Sequence, residues 1–376
     1  MEISLLPPEN IVSVAREIES VTDQTFVESD FLLRAFKVVN TSSERVQINC
    51  YRFNFKAKGK VQNVVLHPED AVAKSASGVS SIIGQLTREG PKRKKIQQRD
   101  NFHRLMGTDA FWVANQVSSS NILSPQQETG LLSKRFRVLA DAPIDELLIE
   151  VDYMENGKPG QTSVTIPVMK KEKREDYIFP VKGQWLVTWN WVGLDSHREA
   201  YSQEFAFDLI KMGEGPLEEG AETLNSEDPC YGEDILAIAD GRVTSCFDGI
   251  PDNPAVGVHL PVEQIREIID TYESSLPAGA GNHVVLQHSS GECSFYAHMI
   301  PGSLMVKEGD KVKQGQVIGR VGNSGNSDGP HLHFHLMDGP DYFTSRGLPC
   351  HFTNVRNLYG ESLEIVDVDN SPVWAE

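Results

Sequence analysis

The sequence comprises 376 residues, of which 39% are hydrophobic and 8% aromatic, with a formal net charge of −18 at pH 7. One hydrophobic core rarely extends over more than about 250–300 residues, so a chain of this length predicts two domains. The negative charge opposes non-specific binding to nucleic acid or anionic lipid. No uncharged apolar run approaches the roughly 18 residues of a membrane span, so we expect no nucleic-acid partner and no transmembrane segment.

The beginning of the sequence does not resemble an export signal. It has no basic start followed by an apolar core and a small-residue cleavage site. The sequence therefore predicts a cytoplasmic location by default, and an extracytoplasmic one only if export follows a route that the sequence does not reveal. Five cysteines without a CxxC spacing suit neither a disulfide framework nor a cysteine zinc site, and we expect reduced thiols.

Alternating apolar and polar residues in the first half of the chain predict antiparallel strands. Two strand-like runs within residues 30–57 are separated by TSSER (41–45), which is typical of a turn. Residues 131–169 repeat this pattern, with NGKPG (156–160) as the turn of a second hairpin. The pattern predicts an antiparallel β-sandwich-like domain.

The stretch at about 75–120 is polar and poorly patterned, and we interpret it as a long insertion in this domain. Its compact basic run, Lys92 to Lys95, is typical of a solvated loop. His67 and His103 are isolated in the sequence, and a lone histidine is more often structural than functional. The first half of the chain therefore shows no catalytic constellation.

The charged segment KKEKREDY (170–177) marks a change in composition, and we place the domain boundary there, between an accessory domain at 1–175 and a second domain at 176–376. Many short strand-like runs with glycine turns predict that the second domain is β-rich, with a barrel-like or folded sheet. One helix-like exception is expected at 261–275. Its apolar stripe should be packing surface: Val262, Ile265, Ile268 and Ile269.

The most informative segment of the second domain is PHLHFHL (330–336). Because side chains alternate along a strand, its three histidines share one face and its Leu and Phe residues share the other: His331, His333, His335; Leu332, Phe334, Leu336. Three neighbouring imidazoles are hard to explain as packing, since buried rings need partners and imidazolium charges repel each other. A metal would satisfy them, and zinc accepts imidazole nitrogen. An HxH pair alone also occurs by chance on exposed strands.

Three further residues are candidates only in combination with this segment. Asp208 interrupts the apolar strand EFAFDLI. A buried carboxylate at this position is explained either by a nearby cation or by a structural role in a salt bridge or a capped turn. His197 lies in a polar, loop-like context. His298 stands at a strand end before a turn, where it is either a satisfied structural histidine or a group that orients water near a metal.

Residues 282–340 resemble the C-terminal core of lysostaphin/LytM-type zinc metallopeptidases, also called peptidoglycan endopeptidases. The resemblance rests on YAH, the glycine-rich turn GNSGNS and PHLHF, which occur in that order, and it spans about 230–340 together with the upstream His/Asp segment. It implies one zinc ion per chain and two assisting histidines. The implied zinc ligands are His197, Asp208 and His333, and the implied catalytic residues are His298 and His331.

The upstream segment departs from the commonest family spacing, which is HxxxD, because ten residues separate His197 from Asp208 here. The departure weakens the assignment of His197, and Asp195 is an alternative ligand. No family role carries over to His335, which we interpret as a second-layer or rim residue, or to His288, which we interpret as structural.

The resemblance implies a zinc-dependent endopeptidase that hydrolyses peptide bonds in peptidoglycan cross-bridges or stem peptides, or in another glycine-containing peptide. No HExxH helix is present, so no glutamate of that kind is available as general base. Two alternatives are a catalytically silent LytM-like binding or regulatory module that retains the metal, and a carrier domain suggested by the hairpin VKEGDKVKQGQVIGRV (306–321). A lipoyl or biotinyl carrier would need a lysine at the hairpin tip, where GNSGNSDG (322–329) stands, and a phosphocarrier would need a phosphorylatable histidine without three zinc ligands.

Overall fold

The computed structural model describes residues 1–19, 25–87, 111–190, 197–211, 223–366 and 371–376. The chain divides into two compact units, Met1–Glu172 and Lys173–Glu376. Both are mainly β, as predicted. Among the described residues, none of the helices is long and apolar enough to cross a membrane.

The described part of the first unit contains nine strands and one helix. The strands are β1 (Glu2–Leu6), β2 (Ile11–Glu19), β3 (Thr25–Val39), β4 (Val46–Ala57), β5 (Lys60–Pro68), β6 (Ile122–Leu123), β7 (Glu128–Ala140), β8 (Glu146–Glu155) and β9 (Lys158–Lys170). The sheet order is β1-β3-β2-β9-β8-β4-β5, with β7 beside β3 and β6 beside β4. All pairs are antiparallel except β2 with the end of β9. Strand β9 thus belongs to two layers, which makes the unit sandwich-like.

Aromatic rings from both layers meet in the core of this unit. Phe31 of β3 lies 5.9 Å from Phe55 of β4, and Phe36 of β3 lies 6.3 Å from Phe53 of β4, measured between ring centroids. All four rings are fully buried, and burying such a side chain contributes about 1.5–3 kcal/mol. Strands β3 and β4 therefore face each other across the core, and TSSER joins the two layers without closing a hairpin between neighbouring strands.

The second predicted hairpin is present, with a shorter turn than expected. Strands β8 and β9 pair along their whole length, from Glu155 opposite Lys158 to Glu146 opposite Pro167. The turn consists of Asn156 and Gly157, whose φ values are 49° and 73°. An Asn-Gly pair adopts two positive φ angles readily and matches the twist of the strands. The following residues of NGKPG already belong to β9.

Part of the expected insertion is a helix, α1 (Glu69–Thr87), which corrects the interpretation of this stretch as poorly patterned. Its buried apolar residues recur at helical spacing: Val72, Ala76, Val79 and Ile83. The signal was present but was obscured by the intervening Ser and Gly residues. The basic run from Lys92 to Lys95 and His103 lie outside the described residues.

The second unit is built around one large antiparallel sheet. Its described strands are β10 (Gly183–Thr188), β11 (Phe207–Ile210), β12 (Asp234–Leu236), β13 (Gly241–Phe247), β14 (Asn282–His288), β15 (Cys293–Met299), β16 (Lys311–Val312), β17 (Val317–Arg320), β18 (Leu332–Met337), β19 (Gly347–Leu348), β20 (Val355–Asn357) and β21 (Ser371–Ala375). The order is β16-β13-β14-β15-β18-β11-β10-β21-β20, with β19 beside β18. Strands β12 and β17 form a separate pair. Strands β15, β18 and β11 thus occupy the middle of the sheet.

The apolar face of β18 anchors the sheet in the core of this unit. Leu332 and Phe334 are fully buried, and Phe334 lies opposite Phe207 in β11 and opposite Tyr296 in β15. The histidines of β18 alternate with these residues and project from the other face, as the strand period requires. The core therefore fixes which face of the sheet carries the histidines.

The predicted helix is present as α2 (Val262–Tyr272), and a short helix α3 (Leu276–Ala280) follows it. The apolar stripe of α2 is only partly a packing surface. Ile268 is buried and Ile265 packs beside it against Leu260, whereas Val262 is 55% exposed. The helical periodicity predicted the position of α2, but the first turn of this helix lies outside the packed core. All five cysteines are free thiols.

Candidate metal centre

Two of the predicted metal ligands face each other across neighbouring strands. Asp208 in β11 is directly opposite His333 in β18, and the Nδ1 atom of His333 lies 2.9 Å from Oδ1 of Asp208. His333 is in turn opposite Ala297 in β15. Because strands on both sides fix the register, these two side chains are held rigidly at the centre of the sheet.

His197 completes this group from a short 3-10 helix, His197–Glu199, that precedes β11. Its Nε2 atom lies 3.1 Å from Oδ2 of Asp208, and its ring is 4.6 Å from that of His333, nearly perpendicular to it. One donor atom from each of the three side chains lies within 4.8 Å of the others. The ten-residue separation from Asp208 therefore does not keep His197 away from the site, and Asp195 lies outside the described residues.

The chemistry of the donor set fits zinc. Two imidazole nitrogens and one carboxylate oxygen form the ligand set of an open catalytic zinc site. The His333 side chain is 5% exposed, whereas the His197 side chain is 25% exposed. The group is thus buried on the sheet side and accessible on the other, which fits a site with one position left for water or substrate.

The charges of the group are strongly coupled. Burial alone would raise the pKa of Asp208, but the imidazoles of His197 and His331 lower it more, so that this pKa lies well below its usual value. Burial, together with the charge of His197, lowers the pKa of His333 to about 4. At neutral pH the site therefore offers an ionised carboxylate and a neutral imidazole, the protonation states that a metal requires.

The two predicted catalytic histidines lie beside each other, with ring centroids 4.5 Å apart. The Nδ1 atom of His331 is 2.9 Å from the backbone oxygen of Gly329, and its Nε2 is 3.7 Å from Oδ2 of Asp208. The Nδ1 atom of His298 is 2.8 Å from the backbone oxygen of Ser324. A carbonyl can only accept, so each ring donates its Nδ1–H and keeps the lone pair on Nε2.

Burial first, and then the neighbouring imidazoles of His331 and His333, hold the pKa of His298 well below its usual value. This residue also adopts a φ of 63°, in the left-handed region that few non-glycine residues occupy. Such strain persists only where the surroundings enforce it, and it is frequent at functional sites. Here the turn that contains Ser324 fixes the ring.

Four of the five predicted site residues line one cleft of about 500 Å³, and His333 is not part of its lining. Its lining includes His197, Asp208, His298 and His331, and sequence reasoning missed the other members, among them Trp189 and Lys211. Trp189 follows β10 and is 55% exposed, with a φ of 48°. An exposed tryptophan is unusual, and the repeated Trp residues of WLVTWNW were the signal that could have identified it.

The remaining histidines of the unit do not line the cleft. His335 is 1% exposed and contacts His333, so it lies behind the site and not at its rim. His288 binds the Ser294 hydroxyl at 2.8 Å and the backbone oxygen of Asp240 at 3.1 Å, which accounts for both ring nitrogens. Its environment is that of a structural residue.

Known proteins resemble the chain in this region. Residues 228–344 match the model described as peptidase family M23. The peptidoglycan DD-endopeptidase ShyA of Vibrio cholerae is 47% identical over 58 residues, which are 15% of this chain and 13% of ShyA. The DD-carboxypeptidase/endopeptidase Mpg of Neisseria gonorrhoeae is 43% identical over 74 residues, which are 20% of this chain and 16% of Mpg. The alignments thus span only a small part of each relative.

Solved structures give weak similarities. The catalytic domain of lysostaphin from Staphylococcus simulans aligns with 46% of this chain and 87% of its own, at 20% identity and a TM-score of 0.25. A zinc-containing peptidase from Vibrio cholerae aligns with 90% of this chain and 86% of its own, at 13% identity and a TM-score of 0.27. The matched segment 228–344 includes His298, His331 and His333, whereas His197 and Asp208 precede it. The chain therefore carries a domain of peptidase family M23 at residues 228–344.

Proposed function

We propose that this chain is a zinc-dependent endopeptidase that hydrolyses peptide bonds of peptidoglycan, in its cross-bridges or stem peptides. One observation carries the proposal: a compact His-Asp-His donor group stands beside two further imidazoles at a single cleft. Relatives named as peptidoglycan DD-endopeptidases support the choice of substrate.

In this proposal His197, Asp208 and His333 hold one zinc ion. When bound, zinc supplies a Lewis acid and lowers the pKa of coordinated water toward about 7. The protein's part is to present ligands that are already deprotonated, which the lowered pKa values of Asp208 and His333 achieve at neutral pH. Two neighbouring strands hold these ligands in place before any metal arrives, which reduces the ordering required on binding.

His331 and His298 manage protons in the cleft. The bond from His331 Nδ1 to Gly329 directs its Nε2 lone pair toward the Asp208 side of the cleft, where it can accept a proton from an attacking water. His298 is held in the same tautomer by Ser324, 4.5 Å from His331 between ring centroids. It can orient the same water or stabilise the oxygen of the cleaved carbonyl.

The substrate is a peptide that enters an open cleft. Trp189 presents an exposed ring at the wall of the cleft, and such rings pack on the flat or apolar parts of a ligand. Lys211 lines the same cleft and pairs with Glu233 at 2.7 Å. A substrate peptide with glycine or another small residue next to the scissile bond would approach the donor group with the least steric hindrance.

The test combines metal analysis with digestion of isolated peptidoglycan. The purified full chain, prepared without chelator, should contain about one zinc per chain, since the ligand set is that of a single open site. Mass spectrometry should then detect newly released peptides whose termini identify the cleaved bond. Chelator treatment should abolish this release, and added zinc should restore it.

The outcomes separate the proposal from its main alternative. Zinc-loaded protein that releases nothing from peptidoglycan or from glycine-containing peptides would identify a silent binding or regulatory module. Protein that contains no transition metal and gains none on incubation would exclude the metal site.

A further inference from the structure

A buried histidine contacts the back of the candidate metal centre. His335 is 1% exposed, and its Nδ1 atom lies 3.0 Å from Nε2 of His333. Its ring stacks on that of Phe295, with 4.7 Å between centroids and an angle of 18° between the planes. Its own Nε2 is buried without a hydrogen-bond partner among the described residues. The contact between His335 and His333 involves none of the residues that line the cleft.

The contact joins the one nitrogen of His333 that does not face Asp208. The Nδ1 atom of His333 lies 2.9 Å from Asp208, on the side where the three donors converge. For Nδ1 to donate its lone pair to a metal, the proton of a neutral ring must reside on Nε2. A buried Nε2–H without an acceptor is costly, and the atom placed to accept it among the described residues is Nδ1 of His335.

We propose that His335 is a positioning residue for the metal centre: its Nδ1 accepts the Nε2–H of His333 and so fixes His333 in the tautomer that leaves Nδ1 free for zinc. The inference rests on the proposed function, since it concerns the same metal. Partners of this kind orient a ligand ring and raise its basicity, and they are commonly a carboxylate, a backbone carbonyl or a water. Here a second imidazole takes that position.

The proposal specifies where each proton lies in the zinc-loaded protein. His333 carries its proton on Nε2 and His335 carries its own on Nε2, so that both rings stay neutral. The Nε2–H of His335 is then the buried donor that has no acceptor among the described residues, and its cost is offset by the bond between zinc and His333. In the metal-free protein the Nδ1 of His333 can instead donate to Asp208, and its Nε2 then accepts the Nδ1–H of His335. Zinc binding therefore reverses the direction of the hydrogen bond between the two rings.

Two substitutions separate the acceptor from the packing of the ring. His335→Phe keeps a flat ring that can stack on Phe295 but has no acceptor. His335→Asn places a carbonyl oxygen near the position of Nδ1. A matched control is His283→Phe, because His283 also stacks on Phe295, at 5.3 Å and 18°, and has no contact with His333 among the described bonds.

Zinc affinity is measured on the full chain by competition with a chromophoric chelator. We expect His335→Phe to bind zinc about 10–100-fold more weakly than the wild type, and His335→Asn and the His283→Phe control to bind close to the wild type. The nitrogen chemical shifts of labelled histidines in zinc-loaded wild-type protein supply a second readout, which does not depend on any variant folding. They should identify a proton on Nε2 of His335 and an unprotonated Nδ1.

Unchanged zinc affinity in a folded His335→Phe variant, or a proton on Nδ1 of His335 in the zinc-loaded protein, would overturn this role while leaving the proposed function intact. A wild type that binds no zinc overturns the metal site itself and this role with it. The two failures are therefore distinguishable.

Discussion

At the scale of single residues, His331 and His333 lie two positions apart but have different surroundings. His333 has its Nδ1 against Asp208 within the donor group, whereas His331 holds its Nδ1 against Gly329 and faces the cleft. We therefore expect His333→Ala to lose zinc and activity together, because it removes one of the three proposed protein ligands. His331→Ala should keep its zinc while kcat falls by about 10²–10⁴, the usual contribution of a proton-transfer group.

Zinc content by mass spectrometry and turnover are measured on the same preparations. His298→Ala is the matched comparison for His331→Ala, because both rings donate Nδ1–H to a backbone oxygen in the same way. If His331→Ala lost its zinc while His333→Ala retained it, the two roles would be exchanged. If none of the variants changed zinc content or turnover, the site would lie elsewhere.

At the scale of elements, the turn between β17 and β18 fixes the two predicted catalytic histidines, His298 and His331. The backbone oxygen of Ser324 accepts a hydrogen bond from Nδ1 of His298, and the hydroxyl of Ser327 lies 3.1 Å from Nδ1 of His331. Gly325, between them, has a φ of 80°, and an added Cβ would lie 2.4 Å from the backbone nitrogen of Gly281. Only glycine fits such a position, because both the backbone angle and the space exclude a side chain.

We expect Gly325→Ala to destabilise the second unit by more than about 2 kcal/mol, since strain and overlap with backbone add together. The matched control is Gly257→Ala. Gly257 also has a positive φ, 74°, but nothing lies within 4 Å of an added Cβ. Backbone strain alone should therefore lower the free energy of unfolding by about 1 kcal/mol in this variant. Urea unfolding of both variants gives the difference. Equal losses of stability in the two variants would mean that the turn moves aside, and that the close approach of residue 325 to Gly281 adds nothing to the cost.

At the scale of the whole molecule, the two units suggest where the chain is most accessible to proteases. The segment from Glu172 to Asp176 has no regular secondary structure and is largely exposed. We propose that the first unit is a separate accessory domain, and we expect limited trypsin digestion to cut first near 170–177 or within about 75–120. Mass spectrometry of the early fragments identifies the sites. Early cleavage inside 281–336 would contradict a compact second unit.

The second unit should also lose stability in mild acid. Burial lowers the pKa of His283 and of His333 to about 4, from an ordinary 6.5. Between these values the unfolded chain binds protons that the folded chain does not, so the free energy of unfolding decreases as pH falls from about 6.5 to 4. A single such group contributes about 3 kcal/mol to this decrease.

The measurement is the free energy of unfolding against pH in the presence of chelator, so that metal release does not contribute. His283→Asn is the informative variant, because the amide can still donate to the backbone oxygen of Gly281 but does not titrate. Its decrease between pH 6.5 and 4 should be smaller than that of the wild type. An identical pH dependence would mean that His283 can be protonated without unfolding.

The sequence alone determined much of this protein. Strand periodicity predicted the β-rich fold, the Asn156–Gly157 hairpin and the common face of the HLHFH histidines, because these follow from local backbone geometry. The same reasoning missed α1, whose apolar positions are diluted by Ser and Gly, and it overestimated the burial of Val262. Resemblance to the LytM-type peptidases supplied all five candidate site residues, and the spacing from Asp208 weakened the assignment of His197.

Only the tertiary structure decided how these residues meet. The register of β11 against β18 places Asp208 opposite His333, and the 3-10 helix before β11 brings His197 to the same carboxylate. The structure also decided that Trp189 lines the cleft and that His335 lies behind His333 and not at the rim. The physical reason is that a strand period fixes the face on which a side chain lies, whereas its partners depend on hydrogen-bond register between segments far apart in the chain, which no local pattern specifies.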